Sequence, residues 1–266
     1  MTRDDLKSEI AAWLRAAGID EAALEARHIL AAASSEAEAR DMAQRRAARE
    51  PLSLILGNQP FWTLDLRVTP DVLTPRADTE TLVEWALSHL ADGGRVVDLG
   101  TGSGAILLAI LSERPNASGV GIDSSAAALQ VAEENARRNN LADRCDFRAG
   151  NWADGLPGNA FDLAVSNPPY IASAVLETLD PEVTDHEPYL ALDGGADGLD
   201  CYRLLVPQLF RILRPGGHAA VEIGYDQAEA VNALFAAAGF ADVALSRDLA
   251  GNPRVISGQK TETQSR

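Results

Sequence analysis

The four residues Asn167-Pro168-Pro169-Tyr170, which directly follow the strand-like sequence FDLAVS, are suited to holding a planar NH2 group. Such a group is a poor nucleophile because its lone pair is delocalised, and two hydrogen-bond acceptors can hold it. The side-chain oxygen of Asn167 offers one acceptor and the main-chain carbonyl of Pro168 the other. Pro169 has no N–H that would compete for this carbonyl, and the ring of Tyr170 can stack on a flat group. The motif therefore predicts a substrate site in which Asn167, Pro168 and Tyr170 act on an amide or ring amine.

A second chemical motif, Gly100-Thr101-Gly102-Ser103-Gly104, lies between a predicted strand and a predicted helix. Glycines allow the main chain to approach a ligand closely, and the N-terminus of a helix supplies unpaired N–H groups. Asp123 ends the next predicted strand, where a carboxylate can accept hydrogen bonds from both hydroxyls of a ribose. Gly100, Thr101, Gly102 and Gly104, together with Asp123, therefore predict a site for a nucleoside cofactor.

The glycine loop by itself does not identify the cofactor. Gly100, Gly102 and Ala105 also satisfy the G-x-G-x-x-G/A fingerprint of dinucleotide-binding proteins. Asp98 favours S-adenosylmethionine, because a carboxylate at the strand tip attracts the ammonium of a methionine moiety and repels a pyrophosphate. A methyltransferase is thus favoured over a nicotinamide-dependent oxidoreductase. A third hypothesis, a non-catalytic binding module, would not need the ordered motif at Asn167.

The elements that must position these motifs form an α/β pattern. From Arg95 onwards, strand and helix patterns alternate, which predicts a mainly parallel sheet covered on both faces. The last two strands, ADVALSRD and RVISGQ, are too close together for a crossover and must form an antiparallel hairpin at the sheet edge. Ligands bind beyond the carboxyl ends of strands in such sheets, so we expect Asn167 to lie beside the glycine loop.

Two smaller units precede this sheet. Apolar residues at helical spacing predict three helices, over residues 3–17, 21–33 and 36–49. We assign residues 1–51 to a helical domain and 76–266 to the catalytic domain. Between them, alternation from Trp62 to Thr69 predicts a strand within a β-hairpin connector at 52–75. A helix then begins near Asp78 or Thr79, either of which could cap it.

Composition limits the classes of partner. The formal net charge is −16; residues 1–51 contain 8 Lys and Arg against 10 Asp and Glu, and residues 52–266 contain 15 against 29. A surface this acidic disfavours nucleic acid, whose binding depends on neutralising phosphates. The two cysteines and four histidines show no metal-ligand spacing. The longest apolar run, AILLAIL, is too short to span a bilayer, and the acidic start is unlike a signal peptide, so we expect a cytoplasmic protein without membrane contact.

The ordered motifs of the chain resemble the PrmC/HemK family of class I methyltransferases, which methylate the glutamine of the Gly-Gly-Gln motif in peptide chain release factors. The resemblance runs from about Glu50 to Gly258 and is carried by EPLSLILGNQPFW, TPRADTE, VVDLGTGSGAI, VSNPPYI, HEP, GGADGL, EIGYDQ and DLAGNPRV. It implies a Rossmann-like seven-stranded sheet with a terminal antiparallel hairpin and a small N-terminal helical domain. It also implies S-adenosylmethionine as cofactor and a release factor as substrate. The main alternative is a methyltransferase acting on adenine or cytosine amines of nucleic acid.

The resemblance also implies roles for individual residues. It adds Asn151 and Trp152 to the cofactor site, with Asn167 beside both cofactor and glutamine, and it puts Glu187 and Glu222 at the substrate pocket. The sequence departs from the family pattern in three places. Ala77 stands where the family usually has proline, and Ser53-Leu54 replaces the usual aromatic-containing segment before Ile55. The helical region before Glu50 is also short for a unit that helps to dock the release factor.

Overall fold

A computed structural model of the chain describes residues 2–261. Its helices are α1 (Arg3–Ala16), α2 (Ala22–Ala32), α3 (Glu36–Ala47), α4 (Leu52–Leu56), α5 (Glu80–His89), α6 (Ala105–Glu113), α7 (Ala126–Arg138), α8 (Ser173–Leu176), α9 (Pro181–Thr184), α10 (Asp200–Ile212) and α11 (Ala228–Ala238). Its strands are β1 (Asn58–Phe61), β2 (Leu64–Arg67), β3 (Arg95–Leu99), β4 (Ser118–Asp123), β5 (Cys145–Ala149), β6 (Phe161–Ser166), β7 (Leu213–Glu222), β8 (Phe240–Arg247) and β9 (Pro253–Lys260).

The first three helices pack around a core of their own. Thr2 and Asp5 form a capping box at the start of α1, each side chain accepting the other residue's N–H, and the hydroxyl of Ser35 caps α3. The apolar stripe of α1 is fully covered by α2 and α3, which leaves Ile10 and Leu14 with no exposed surface. The helices predicted for this region are present.

The connector contains a short helix and a two-stranded antiparallel sheet. Helix α4 ends at Gly57, which takes the left-handed conformation (φ 73°), and β1 then pairs with β2. The predicted strand begins two residues later than its sequence pattern indicates, because Trp62 occupies the hairpin turn with φ 56°. Its main-chain N–H donates to the side chain of Glu80 (2.8 Å) instead of to a neighbouring strand. Its indole N–H donates to Glu113 (2.9 Å) and fixes the ring.

The central sheet has seven strands in the order β5-β4-β3-β6-β7-β9-β8. The first four pairings are parallel, and β9 runs antiparallel to both β7 and β8. This confirms the predicted α/β sheet with an antiparallel hairpin at its edge. Helices α5 and α6 pack on one face and α10 and α11 on the other, with α6 buried over nearly its whole length.

The topology brings the carboxyl ends of three neighbouring strands together. β3 lies between β4 and β6, so Leu99, Asp123 and Ser166 end at the same edge of the sheet. The N–H groups of Gly100 and Thr101 both donate to the Ile122 carbonyl (2.8 and 2.9 Å), which ties the loop after β3 to the end of β4. This edge is where the two sequence motifs meet.

The start of α5 differs from the sequence prediction. Neither Asp78 nor Thr79 makes a side-chain cap hydrogen bond; both lie in a single 3-10 turn that leads into the helix, and Thr79 itself has helical dihedral angles. A capping residue needs an extended backbone, which Thr79 does not have. Its hydroxyl instead faces the end of β6. Within residues 2–261, no helix combines the length and apolar character needed to cross a membrane.

Candidate active site

A cavity of about 540 Å³ opens at the carboxyl edge of the sheet. Its wall combines the loops after β3, β4, β5 and β6 with the end of the connector and the loop before α10. Of the residues predicted for the cofactor or substrate, those in the wall are Gly100, Thr101, Gly102, Asp123, Asn151, Trp152, Asn167 and Pro169. The volume lies within the range of small-molecule sites.

The glycine loop shapes one side of this cavity. Gly100, Gly102 and Gly104 all have positive φ, a conformation that glycine adopts without strain. Gly104 differs in position from the other two, because it lies outside the cavity wall, where an added Cβ would be 3.3 Å from the Cβ of Ala132. We therefore expect Gly100 and Gly102 to approach a ligand, while Gly104 allows α6 and α7 to pack closely.

Asp98 lies behind the loop and has no exposed surface. Its Oδ2 accepts the hydroxyl of Thr101 (2.7 Å), whereas its buried Oδ1 has no hydrogen-bond partner among the described residues. Burial is the main reason that the pKa of Asp98 is raised to about 7; the hydrogen bond from Thr101 opposes this shift, and Asp123 adds to it. An incompletely satisfied buried carboxyl would be stabilised in its charged form by a cation in the cavity, which fits an ammonium group.

Asp123 is anchored by the main chain. Its Oδ2 accepts the N–H of Gly102 and its Oδ1 the N–H of Ser125, both at 2.9 Å. Each carboxylate oxygen has two acceptor sites, so one on each remains for a ligand. The side chain is held in place with two free acceptor sites, as the predicted contact with two ribose hydroxyls requires.

Trp152 closes the cavity beside the loop in a strained conformation. Its φ is 52°, which is rare for a bulky residue, and its ring lies 3.4 Å from the position that a Cβ on Gly100 would occupy. Helix α10 holds the strained segment: Gln208 accepts the N–H of Ala153 (2.9 Å), and Arg211 donates to the Ala153 carbonyl (2.7 Å). Strain of this kind persists where the surroundings enforce it, and here the indole lines the cavity beside Gly100.

Asn167 and Pro168 supply two unused acceptors. The Nδ2 of Asn167 donates to the hydroxyl of Thr79 (3.3 Å), which leaves the other side of the amide to the cavity. Within the part of the chain that the structure describes, neither Asn167 Oδ1 nor the Pro168 carbonyl accepts a hydrogen bond. The pyrrolidine ring of Pro168 is itself buried. Asn167 lies in the cavity wall, and two adjacent acceptors without partners can receive the two N–H groups of a planar NH2.

Tyr170 and Glu222 lie outside the cavity wall, on the far side of the motif. The Tyr170 hydroxyl donates to Glu222 Oε1 (3.4 Å), and burial raises the pKa of the phenol. Burial also raises the pKa of Glu222 to about 7, while hydrogen bonding from Thr79 and the charge of Arg254 oppose that shift. The predicted stacking of Tyr170 on the substrate and the predicted place of Glu222 at the substrate pocket thus remain predictions.

Glu187 lines a different cavity. It is buried, and both its carboxylate oxygens accept from Nη2 of Arg76 (2.6 and 2.7 Å). Burial raises its pKa, although Arg76 acts in the opposite direction. The neighbouring cavity, of about 330 Å³, lies between the end of α3, the connector and the α9 region, and it shares Pro75 and Arg76 with the main cavity. Glu187 is therefore near the site but not beside Asn167.

A clamp behind the catalytic motif was not expected from the sequence. Nε2 of Gln227 donates to the carbonyls of Tyr170 (2.9 Å) and Gly198 (3.2 Å), and the N–H of Gly194 donates to the Ile171 carbonyl (2.8 Å). The segments GGADGL and EIGYDQ, which carried part of the family resemblance, thus hold the backbone of the motif. The sequence shows these glycines and this glutamine, but only the tertiary structure shows which main-chain carbonyls they hold.

Further wall residues also escaped the sequence analysis. The connector contributes Asp71, Val72 and Leu73, and Tyr189 and Leu190 lie at the mouth with largely exposed side chains. Apolar residues in loops between motifs give no local signal of this role. Among residues 2–261, no three His, Cys, Asp or Glu side chains are grouped to hold a metal ion.

Comparisons with known proteins identify the family and the fold. Residues 90–255 match a family model described as a methyltransferase domain. A release factor glutamine methyltransferase from Caulobacter vibrioides is 48% identical, with 95% of this chain and 94% of that protein covered. A protein of the same description from Bradyrhizobium diazoefficiens is 45% identical, with 97% and 94% covered. Among solved structures, a methyltransferase from Pyrococcus furiosus has a TM-score of 0.57 at 19% identity, covering 86% of this chain and all of that one, which shows the class I methyltransferase fold.

Proposed function

Because the chain belongs to the family of release factor glutamine methyltransferases, we propose that it transfers a methyl group from S-adenosylmethionine to the side-chain amide nitrogen of a glutamine in a peptide chain release factor. By the resemblance of its motifs, that glutamine is the one in Gly-Gly-Gln. The proposal places the enzyme in the cytoplasm, where translation is terminated. Family membership also disfavours the nicotinamide-dependent alternative.

The unused acceptors of Asn167 and Pro168 carry this proposal. When bound, S-adenosylmethionine supplies an electrophilic methyl group on a sulfonium centre. Asn167 Oδ1 and the Pro168 carbonyl hold the two N–H groups of the glutamine amide and orient its nitrogen toward the cavity. Positive charge develops on that nitrogen as it uses its lone pair, and preorganised dipoles stabilise it. Neither acceptor is basic enough to take the proton, which passes to water.

The cofactor assignment rests on two residues of the cavity wall and on Asp98, which is buried behind it. Asp98 has a buried oxygen without a partner and would be satisfied by the positive charge of the methionine part. Asp123 keeps one acceptor site on each oxygen for the ribose, and Trp152 offers a flat surface for the adenine. These groups would hold the cofactor with its amino-acid end near β3 and its ribose at the end of β4.

The decisive experiment uses the purified protein with cofactor carrying a radiolabelled methyl group. We expect label on an intact release factor and none on the same factor with the Gly-Gly-Gln glutamine replaced by alanine. Single-stranded and double-stranded nucleic acids serve as rival substrates in parallel reactions. Label on nucleic acid instead of the factor would reject the proposed substrate and favour the amine-methylating alternative.

A further inference from the structure

The side-chain amide of Asn167 can point either its oxygen or its NH2 group toward the substrate, and its surroundings must select one of the two orientations. The oxygen and NH2 group of an asparagine have nearly the same shape, so hydrogen bonding decides which one faces a given side. In the proposed reaction the oxygen must face the substrate, because an NH2 there would oppose the N–H groups of the glutamine. The contact that bears on this choice is between Asn167 Nδ2 and Thr79 Oγ1, at 3.3 Å.

Thr79 alone cannot make the choice. A hydroxyl both donates and accepts, so it could pair with either end of the amide. Thr79 is 4% exposed, and its position at the start of α5 puts it between Asn167 on one side and Glu222 on the other. The direction of its single proton therefore depends on Glu222.

The Glu222 carboxylate is a strong hydrogen-bond acceptor with unused acceptor sites. Glu222 ends β7 with 2% of its surface exposed; its Oε1 accepts the hydroxyl of Tyr170 (3.4 Å), and its buried Oε2, which otherwise has no hydrogen-bond partner between residues 2 and 261, can accept the nearby hydroxyl of Thr79. The Thr79 hydroxyl lowers the pKa of this carboxyl, as a donor to the ionised form does. With its proton directed to Glu222, the Thr79 oxygen presents lone pairs to Asn167.

Other charges around Glu222 bear on its ionisation. Arg254 on β9 lowers the pKa of Glu222 and is itself paired with Asp248 and Asp78, each at 2.9 Å. Asp78 acts in the opposite direction and raises it. The hydroxyl of Tyr202 donates to the main-chain carbonyl of Glu222 (2.8 Å) and fixes the backbone there.

We propose that Glu222 and Thr79 are positioning residues that set the amide of Asn167: the carboxylate accepts the hydrogen bond of the Thr79 hydroxyl, the Thr79 oxygen accepts Asn167 Nδ2, and Asn167 Oδ1 is left for the substrate. This relay rests on the proposed function for the identity of the substrate. Glu222 lies outside the cavity wall and acts through Thr79, whereas Thr79 is part of the wall and acts through Asn167. Glu222 also receives the Tyr170 hydroxyl, so one buried carboxylate orients both polar residues of the motif.

The first test compares two variants of Thr79. Thr79→Val keeps the shape but cannot accept Nδ2, and we expect kcat to fall roughly tenfold or more while cofactor affinity stays unchanged. Thr79→Ser keeps the hydroxyl and should restore most of the rate. In an Asn167→Ala background, Thr79→Val should cause no further loss, because the relay then has nothing to orient. A wild-type rate in Thr79→Val, or a fully additive loss in the double variant, would overturn the relay.

The second test does not depend on activity. The side-chain 15N–1H resonances of Asn167 are assigned as those missing from the Asn167→Ala spectrum. We expect them to shift in Thr79→Val and in Glu222→Gln but to stay near their wild-type positions in Thr79→Ser; unshifted resonances would contradict the relay. If the wild-type protein fails to methylate a release factor while these shifts occur, the substrate assignment is wrong and the relay stands.

Glu222→Gln separates positioning from stability. Replacing a buried carboxylate with a neutral amide removes a desolvation cost, so the melting temperature at pH 8 should stay the same or rise. The methylation rate should nevertheless fall, because an amide can turn its NH2 toward Thr79 and reverse the relay. A lower melting temperature together with an unchanged rate per folded molecule would show that Glu222 serves only the fold.

Discussion

At the scale of single residues, the site depends on polar groups with unused hydrogen-bonding capacity. Asn167 has a free acceptor in the cavity wall, the adjacent Pro168 carbonyl is also free, and Asp98 has a buried oxygen without a partner in the described chain. Such groups are costly in a folded protein unless a ligand satisfies them. Two predictions follow from their chemistry.

Replacing Asn167 should affect catalysis and not cofactor binding. Asn167→Ala removes one of two acceptors for the substrate amide, and we expect turnover to fall by ~10²–10³ with cofactor affinity nearly unchanged. Asn167→Asp keeps an acceptor but adds a charge that attracts the sulfonium, so cofactor binding should tighten while turnover falls. Single-turnover methylation of a release factor and calorimetry with the cofactor measure the two effects. Wild-type turnover in Asn167→Ala would reject the acceptor mechanism.

Cofactor binding should release a proton from Asp98. The pKa of this buried carboxyl is raised to about 7, so below that pH it is largely protonated in the free protein. A bound cation favours the charged form, so binding at about pH 6.5 should expel a proton and affinity should fall as the pH drops further. Calorimetry in buffers of different ionisation enthalpy measures the proton release.

Two controls isolate the contribution of Asp98. Asp98→Asn should abolish the proton release, since an amide does not titrate. Methylthioadenosine lacks the charged amino-acid group and should bind without releasing a proton. Equal proton release in wild type and Asp98→Asn would assign the effect to another group.

At the scale of elements, the loop after β6 needs support from the loop before α10 and from the turn after β7. Gly198 has φ 75°, and a Cβ at that position would lie 2.6 Å from Nε2 of Gln227, the group that holds the Tyr170 carbonyl. A side chain there would displace the clamp. The motif after β6 is therefore positioned in part by Gly198 and Gln227, which lie outside the cavity wall.

Gly198→Ala should lower activity more than its conformational strain explains. The positive φ costs an alanine ~1–2 kcal/mol, and the collision with the clamp adds to that cost and shifts the catalytic motif. Gly93→Ala is the matched control, because Gly93 also has a positive φ (83°) but has open space where its Cβ would be. We expect both variants to melt at lower temperature and only Gly198→Ala to lose methylation rate. Equal rates in the two variants would show that the clamp does not position the motif.

At the scale of the whole molecule, one carboxylate joins the N-terminal helices to the catalytic half. Glu182, on α9 after the catalytic motif, pairs with Arg46 (3.0 Å) and Arg49 (2.8 Å) at the end of the helical unit. Arg46 also pairs with Glu25 (2.7 Å), so the link continues into α2. We propose that this link sets the angle at which the helices present a release factor to the cavity.

Glu182→Gln should weaken binding of the protein substrate and leave cofactor binding intact. The variant keeps the shape of the side chain but removes the charge that holds two arginines, so we expect KM for the release factor to rise several-fold. Glu50→Gln is the control, since it breaks the pair with Arg45 (2.5 Å), which lies within the helical region and does not reach α9. Steady-state kinetics with an intact factor compares them. An unchanged KM in Glu182→Gln would exclude the link from substrate docking.

The sequence by itself determined the fold and predicted the family. Alternating strands and helices, and a final pair of strands too close for a crossover, allow only a mostly parallel sheet with an antiparallel edge. The glycine loop and the motif at Asn167 are local patterns whose chemistry follows from residue type. Because the carboxyl ends of neighbouring parallel strands meet, their proximity could also be predicted.

Only the tertiary structure decided what lies behind those motifs. Thr79 looks like a helix cap in sequence, yet it faces Asn167 across 88 residues of chain. Glu222 and Glu187 were both predicted at the substrate pocket. Glu222 instead lies behind Tyr170, and Glu187 lines a neighbouring cavity. Such roles depend on which side chains from distant elements fill the same space and on which buried polar atoms find partners. Those outcomes are set by packing across the whole molecule, so no local pattern of residues encodes them.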